Sequence, residues 1–237
     1  MEKWKITEEQ IVTLQDACKI NELLLIKPES KELISTDSID ESFNVLFLNT
    51  SFGYSFEKAF IVHNLSEIVK VIKNIGSGAV ILLAEDKLSV MDPKGDIKCN
   101  YLYASEDIVD NINKVYGLYQ DYISSIKNNE QTKRFKFADI FFKRIKTFSS
   151  FNFNTLSFQK DQIIIYDNTG STEINQKDNV ILKTESEFDK NFRLDLDLQD
   201  FRKLKEGNYI CYGSPQGFIL FEDEENKNVY LLACNNL

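Results

Sequence analysis

The sequence predicts an α+β fold built as two similar, β-rich domains, and three observations carry that prediction. Short apolar or alternating runs of about five to eight residues far outnumber the helical patterns. The order of these runs repeats between the two halves of the chain at a spacing of roughly 110 residues, much longer than a solenoid period. The 237 residues are 43% apolar and 27% charged, which suits one large core or two small ones and excludes a wholly disordered chain.

Taken in order, Thr7 to Ile20 reads as an amphipathic helix with a threonine cap and acids in its first turn. Met1 to Lys5 leads into it and is unlike a signal peptide. Strands follow at Leu23–Ile26, Glu32–Thr36, Asn44–Leu48 and Ala59–Val62. A second helix runs from Leu65 to about Ile75, with Asn64 as its cap. Gly76-Ser77-Gly78 is a turn rather than a phosphate loop, and strands come next at Ala79–Ala84, Lys87–Met91 and Lys98–Tyr103.

The second half gives a short strand near Thr132–Lys136 and a helix over Ala138 to Phe148. Strands at Thr155–Gln159, Gln162–Asp167, Asn179–Thr184 and Phe192–Leu196 precede a helix over Leu198 to Leu204. Strands at Asn208–Tyr212, Gly217–Phe221 and Val229–Cys234 end the series. Within this repeat, the passage through Asn64-Leu65 echoes the one through Asp197-Leu198: a strand, an Asn or Asp cap, then a leucine-led helix. The domains expected are 1–104 and 131–237, joined by a connector over 105–130. In the connector Ile108, Ile112, Val115, Tyr119, Tyr122 and Ile126 recur at helical spacing, so it reads as a helix packed on the domains it joins.

Several chemistries are disfavoured. One histidine, His63, makes nucleophile–histidine–acid catalysis a poor reading, and Ser214-Pro215-Gln216 lacks the glycines of a nucleophile elbow. No P-loop occurs. Cys18, Cys99, Cys211 and Cys234 are too scattered for structural zinc and read as reduced, mostly buried thiols. Asp195 and Asp197 alternate with leucines and are expected on the solvated face of a strand. Glu222 to Glu225 is expected at a hairpin tip, and Asp92 to Asp96 in a turn. No catalytic residue, metal site or cofactor is expected, and no apolar run is long enough for a membrane span, so the protein reads as soluble and intracellular.

The charge pattern is more informative. With 28 Lys and Arg against 37 Asp and Glu, the formal net charge is −9, so the overall field would repel nucleic acid and any contact must be local. At ~100° per residue, Lys70 points away from the apolar face formed by Leu65, Ile68, Val69, Ile72 and Ile75, with Lys73 beside it. Lys143 lies opposite Phe141, Phe142, Ile145 and Phe148, with Lys146 beside it, and Lys203 lies opposite Leu198, Phe201 and Leu204. Counted from Leu65, Ala138 and Leu198, the three opposing lysines share one offset. The first helix breaks the pattern, with Asp16 at the opposing position and Lys19 nearby. Lysines without base-reading Arg, Asn and Gln suit non-specific contact with a duplex backbone.

Several stretches add a resemblance: Lys5-Ile6-Thr7 entering the first helix, Arg134-Phe135-Lys136-Phe137-Ala138-Asp139-Ile140, and Leu204-Lys205-Glu206-Gly207-Asn208-Tyr209 followed by paired strands ending Tyr230-Leu231-Leu232-Ala233. Over nearly its whole length the chain resembles, at low identity, the sliding clamps of T-even-type bacteriophages, the processivity factors of replicative DNA polymerases. The resemblance implies a homotrimeric ring of six clamp domains, sheets outside and helices inside. Such a ring encircles double-stranded DNA, is opened and closed by an ATP-dependent clamp loader, and tethers the DNA polymerase in the cytoplasm of an infected bacterial cell. It implies no enzymatic activity. It places Lys70, Lys73, Lys143, Lys146 and Lys203, with Lys19 and Arg202, at the DNA. The connector of those clamps is proline-rich, whereas 105–130 has no proline, so no partner-pocket residues carry over. The alternative is a non-ring viral structural or transcription-tethering protein built on duplicated β-rich domains.

Overall fold

The computed structural model describes residues 2–27, 32–38, 43–50, 52, 60–76, 78–148, 151–159, 162–168, 179–183, 192–223 and 225–235. The expected features at Ala59, Ser77, Thr184 and Glu224 lie outside the described residues.

The chain divides into two units, Met1–Tyr119 and Gln120–Leu237. The first contains β1 (Glu2–Lys5), α1 (Glu8–Cys18), β2 (Leu24–Lys27), β3 (Glu32–Thr36), β4 (Val45–Asn49), β5 (Phe60–Val62), α2 (Leu65–Ile75), β6 (Val80–Leu83), β7 (Lys87–Met91) and β8 (Lys98–Leu102). A long helix, α3 (Glu106–Asn128), crosses the division in sequence. The second unit continues with β9 (Lys133–Phe137), α4 (Asp139–Thr147), β10 (Thr155–Gln159), β11 (Gln162–Tyr166), β12 (Asn179–Lys183) and β13 (Arg193–Asp197). It ends with α5 (Leu198–Arg202), β14 (Tyr209–Ser214), β15 (Phe218–Asp223) and β16 (Asn228–Ala233).

Strand order shows the duplication directly. In the first unit the strands run β1-β6-β7-β8 and β5-β2-β3-β4; in the second they run β9-β14-β15-β16 and β13-β10-β11-β12. Every pairing within these sets is antiparallel. Both units therefore follow one plan, strand–helix–four strands–helix–three strands.

The first strand of that plan corrects the sequence reading, which took Met1 to Lys5 only as a lead-in to the helix. Glu2–Lys5 pairs with Val80–Leu83, setting Trp4 against Ile81. Trp4 and Ile6 are buried while Lys3 and Lys5 are exposed. The same alternation recurs in β9, where Phe135 and Phe137 are buried and Arg134 and Lys136 exposed.

The two cores differ in chemistry. The first is aliphatic: Leu14, Leu24, Ile68, Ile72, Ile81 and Leu88 surround a small apolar void beside Trp4. The second is aromatic. Phe137 has ring neighbours in Phe142 at 5.0 Å, Phe201 at 5.6 Å, Phe158 at 5.9 Å and Phe221 at 6.1 Å, all edge-on.

α3 is served by both units. Toward the first, Val115 and Tyr119 are buried; the Tyr119 ring meets Phe43 edge-on at 4.4 Å, and its hydroxyl shares a 3.1 Å hydrogen bond with Thr36. Toward the second, Ile126 is buried, Tyr122 lies 5.3 Å from Phe218, and Lys127 pairs with Glu222. The expected stripe thus packs as read at Val115, Tyr119 and Ile126, whereas Tyr122 is 37% exposed.

The turn at Asp92 to Asp96 holds, and the hairpin-tip reading holds at Glu225, while Glu222 and Asp223 close β15. Asp92 Oδ2 accepts from the Lys94 amide and Oδ1 from the Ile97 amide, and these backbone donors, Ile97 first, hold the carboxyl below its ordinary pKa. At the β15–β16 hairpin Asp223 accepts from the amides of Glu225 and Asn226.

Asp195 corrects the sequence reading. It is buried, not solvated: Ser157 donates to it at 2.5 Å, Tyr166 at 2.9 Å, and Arg193 through both Nε and Nη2. The leucine–aspartate alternation misleads because both faces of β13 are covered, and the aspartate's partners come from β10 and β11, across the sheet.

Candidate nucleic-acid interface

Each unit presents two helices. In the first, α1 is held at its start by a capping box: Thr7 Oγ1 accepts from the Gln10 amide and the Gln10 side chain accepts from the Thr7 amide. α1 packs against both α2 and β3. That double contact buries Thr13, Leu14, Asp16 and Ala17, a wider arc than the apolar stripe alone. Asp16 therefore does not stand opposite the core as the helical wheel suggested. It is 3% exposed and ion-paired to Lys19 at 2.6 Å.

α2 follows the sequence reading on its faces: Leu65, Ile68, Val69 and Ile72 are buried, and Glu67, Lys70, Lys73 and Asn74 exposed. Its cap differs. Asn64 adopts a left-handed φ of 59° and makes no side-chain cap bond. Glu22 does that work, accepting from the Ser66 amide at 2.8 Å through its carboxylate and from the Leu65 amide at 3.2 Å through its carbonyl.

In the second unit α4 starts at Ala138, which has no side-chain acceptor to offer, and α5 starts at Asp197, whose carboxylate accepts from the Gln199 amide. α4 buries Phe142 and Ile145; α5 buries Leu198 and Phe201. The two helices meet through Phe142 and Phe201, stacked at 4.8 Å. Their remaining faces carry Lys143 and Lys146, both exposed, and Lys203, half-buried.

These lysines are not alike in their surroundings. Lys143 pairs with Asp139 at 2.5 Å, one turn earlier on α4. That hydrogen bond and charge, with a smaller contribution from Glu206, raise the ammonium's pKa. Lys146 pairs with Glu206, and Lys203 with Asp200 at 2.7 Å. Lys70 and Lys73 make no ion pair among the described residues. Arg202 is half-buried, and its Nε and Nη2 are enclosed with no hydrogen-bond partner among the described residues.

The helix faces thus present cations backed by apolar cores, an arrangement that can meet phosphates. Among the described residues no group of three or more His, Cys, Asp or Glu could hold a metal. Cys211 and Cys234 are buried and Cys18 and Cys99 half-buried. Burial pushes the Cys18 thiol up to about 11. No described helix is long and apolar enough to cross a membrane.

No family model matches the chain, and no curated protein does. Solved structures do. The DNA polymerase III subunit beta of Pseudomonas aeruginosa aligns with 100% of this chain and 67% of its own, at 12% identity and a TM-score of 0.67. The Caulobacter crescentus pol III beta gives 100%, 67%, 11% and 0.67 on the same measures. The Helicobacter pylori beta clamp bound to a DNA ligase peptide gives 99%, 66%, 13% and 0.64. The chain spans about two thirds of the length of these clamps. At such identities the likeness is one of fold, and the fold of this chain is that of the sliding clamps.

Proposed function

We propose that the protein is a sliding clamp that encircles duplex DNA and tethers a replicative DNA polymerase, as a homotrimer of the T-even phage type opened and closed by an ATP-dependent loader. Its clamp domains are 1–104 and 131–237, and 105–130 connects them. The observation that carries the reading is the repeated plan: two units of identical strand order, each presenting a helix pair with lysines on the face away from its core. A ring retains DNA by enclosure, so weak, mobile contacts from Lys70, Lys73, Lys143, Lys146, Lys203, Lys19 and Arg202 are enough, and a net charge of −9 is no obstacle.

Ring closure needs complementary sheet ends. β1 and β9 carry Lys3, Lys5, Lys133, Arg134 and Lys136, charges that oppose pairing with another strand. β5 and β13 are covered by the Ala104 amide on the Ile61 carbonyl and the Asn235 amide on the Asp195 carbonyl. β8 and β12 also end sheets, and they expose Leu102 at 63% and Ile181 at 52%. We assign the subunit boundary to β8 of one copy against β12 of the next, a head-to-tail contact that closes on itself.

Light scattering tests this. The expected mass is three chains, or a monomer–trimer equilibrium, and I181K should shift it to the monomer with the fold retained. A tight dimer, or a mass indifferent to I181K, contradicts it. In the non-ring reading the protein is monomeric or assembles through other surfaces, so its mass does not respond to I181K.

A further inference from the structure

The lysines of the two units meet a phosphate under different conditions. In the first unit Lys19 is held by Asp16, but Lys70 and Lys73 stand exposed on α2 without an ion-pair partner among the described residues. In the second unit each of the three interface lysines already holds a carboxylate: Asp139 on Lys143, Glu206 on Lys146, and Asp200 on Lys203. A carboxylate oxygen against an ammonium occupies the place a phosphate oxygen would take.

Such partly exposed pairs are individually weak. The Lys143 and Lys146 side chains are 61% and 50% exposed, so a phosphate can displace the carboxylate. It must nevertheless compete, and part of the gain from releasing DNA counterions is spent separating the internal pair.

We infer that Asp139, Asp200 and Glu206 act as built-in competitors for phosphate, damping the DNA contact of the second unit so that Lys70 and Lys73 of the first supply most of the salt-sensitive hold. The inference rests on the DNA-encircling reading and adds a division of labour to it. The three carboxylates serve as weakening elements in the binding surface. A clamp whose every lysine bound phosphate fully would be retarded along the duplex; one with four of its six lysines pre-paired keeps orientation with less drag. Asp139 also has a structural share, since an acid four residues before a lysine supports its helix.

The test uses the full chain and a short fluorescent duplex, with affinity followed from about 50 to 200 mM salt. Substituting D139N, D200N and E206Q together should tighten binding about tenfold at the low end and steepen the log–log salt slope by up to about 2.7, near 0.9 for each of the three newly engaged phosphates. A charge-matched control, D86N, D96N and E225Q, alters exposed carboxylates away from these helices and should leave the slope unchanged. K70Q with K73Q should flatten the slope more than K143Q, K146Q and K203Q together. Equal effects of the triple variant and its control would overturn the inference while the DNA reading stands. If reversing Lys70, Lys143 and Lys203 leaves duplex binding unchanged, the DNA reading falls and takes the inference with it.

Discussion

The two units share one strand order yet are stabilised differently, and the difference shows what the plan requires. One core is aliphatic around Ile72 and Leu88, the other aromatic around Phe137. The sources of the caps are exchanged as well. In the first unit the leading helix is capped by its own N-cap residue, Thr7, and the trailing one from afar by Glu22. In the second the trailing helix has its own cap, Asp197, and the leading one is met from afar by Asn208. What both keep is the alternation of the first strand and the inward apolar faces of two helices. Strand order and facing define the fold, while core composition and caps are free to vary.

The largest expected consequence falls on the cores. F137A removes the ring at the centre of the aromatic cluster and should cost about 4 kcal/mol, whereas I72V in the aliphatic core should cost about 1 kcal/mol. Urea denaturation of each variant measures both. A cost near 1 kcal/mol for F137A would mean that its ring is not at the centre of the packed cluster.

The buried polar network of the second unit comes next. D195A strands the Tyr166 hydroxyl and the Arg193 guanidinium and should cost about 2–3 kcal/mol. It also sets a pH dependence. Burial foremost, then the Asp195 charge, pushes the Tyr166 phenol up to about 12. A raised phenol pKa means that the folded state favours the protonated form. That contribution is whole below the ordinary value of about 10 and is lost as pH rises through the folded value. Stability should hold to near that ordinary value and then decline, and Y166F should flatten the decline in alkaline denaturation curves.

The aromatic core and the network also mark where sequence reading succeeds and where it stops. The strands of both units, the faces of α2, α4 and α5 and the helical connector follow from spacing, because one partner, the core, decides which residues turn inward. β1 was missed although Lys3-Trp4-Lys5-Ile6 alternates as Arg134-Phe135-Lys136-Phe137 does; its few residues sit directly before a strong helix signal. Asp195 and Asp16 were misplaced because their burial depends on second neighbours, the strands β10 and β11 in one case and α2 with β3 in the other. Glu22, the true cap of α2, lies far from that helix in sequence and gave no local signal.

Smaller effects test the exchanged caps. T7A should cost about 1 kcal/mol, and A138S, adding an N-cap acceptor beside the Asn208 oxygen that already serves the Asp139 amide, should gain about 0.5 kcal/mol; thermal unfolding resolves both. If T7A is neutral, the capping box does not set the start of α1. Smallest of all in stability is K70E with K143E and K203E, expected to change it by under about 0.5 kcal/mol per site with oligomeric mass unchanged.

The enclosing ring itself is tested most directly by letting dissociated subunits reassemble in the presence of nicked circular plasmid and following them by gel filtration in high salt. The protein should stay with the circle and be released when a single cut makes the DNA linear. Equal retention on circular and linear DNA, or none on either, would contradict enclosure.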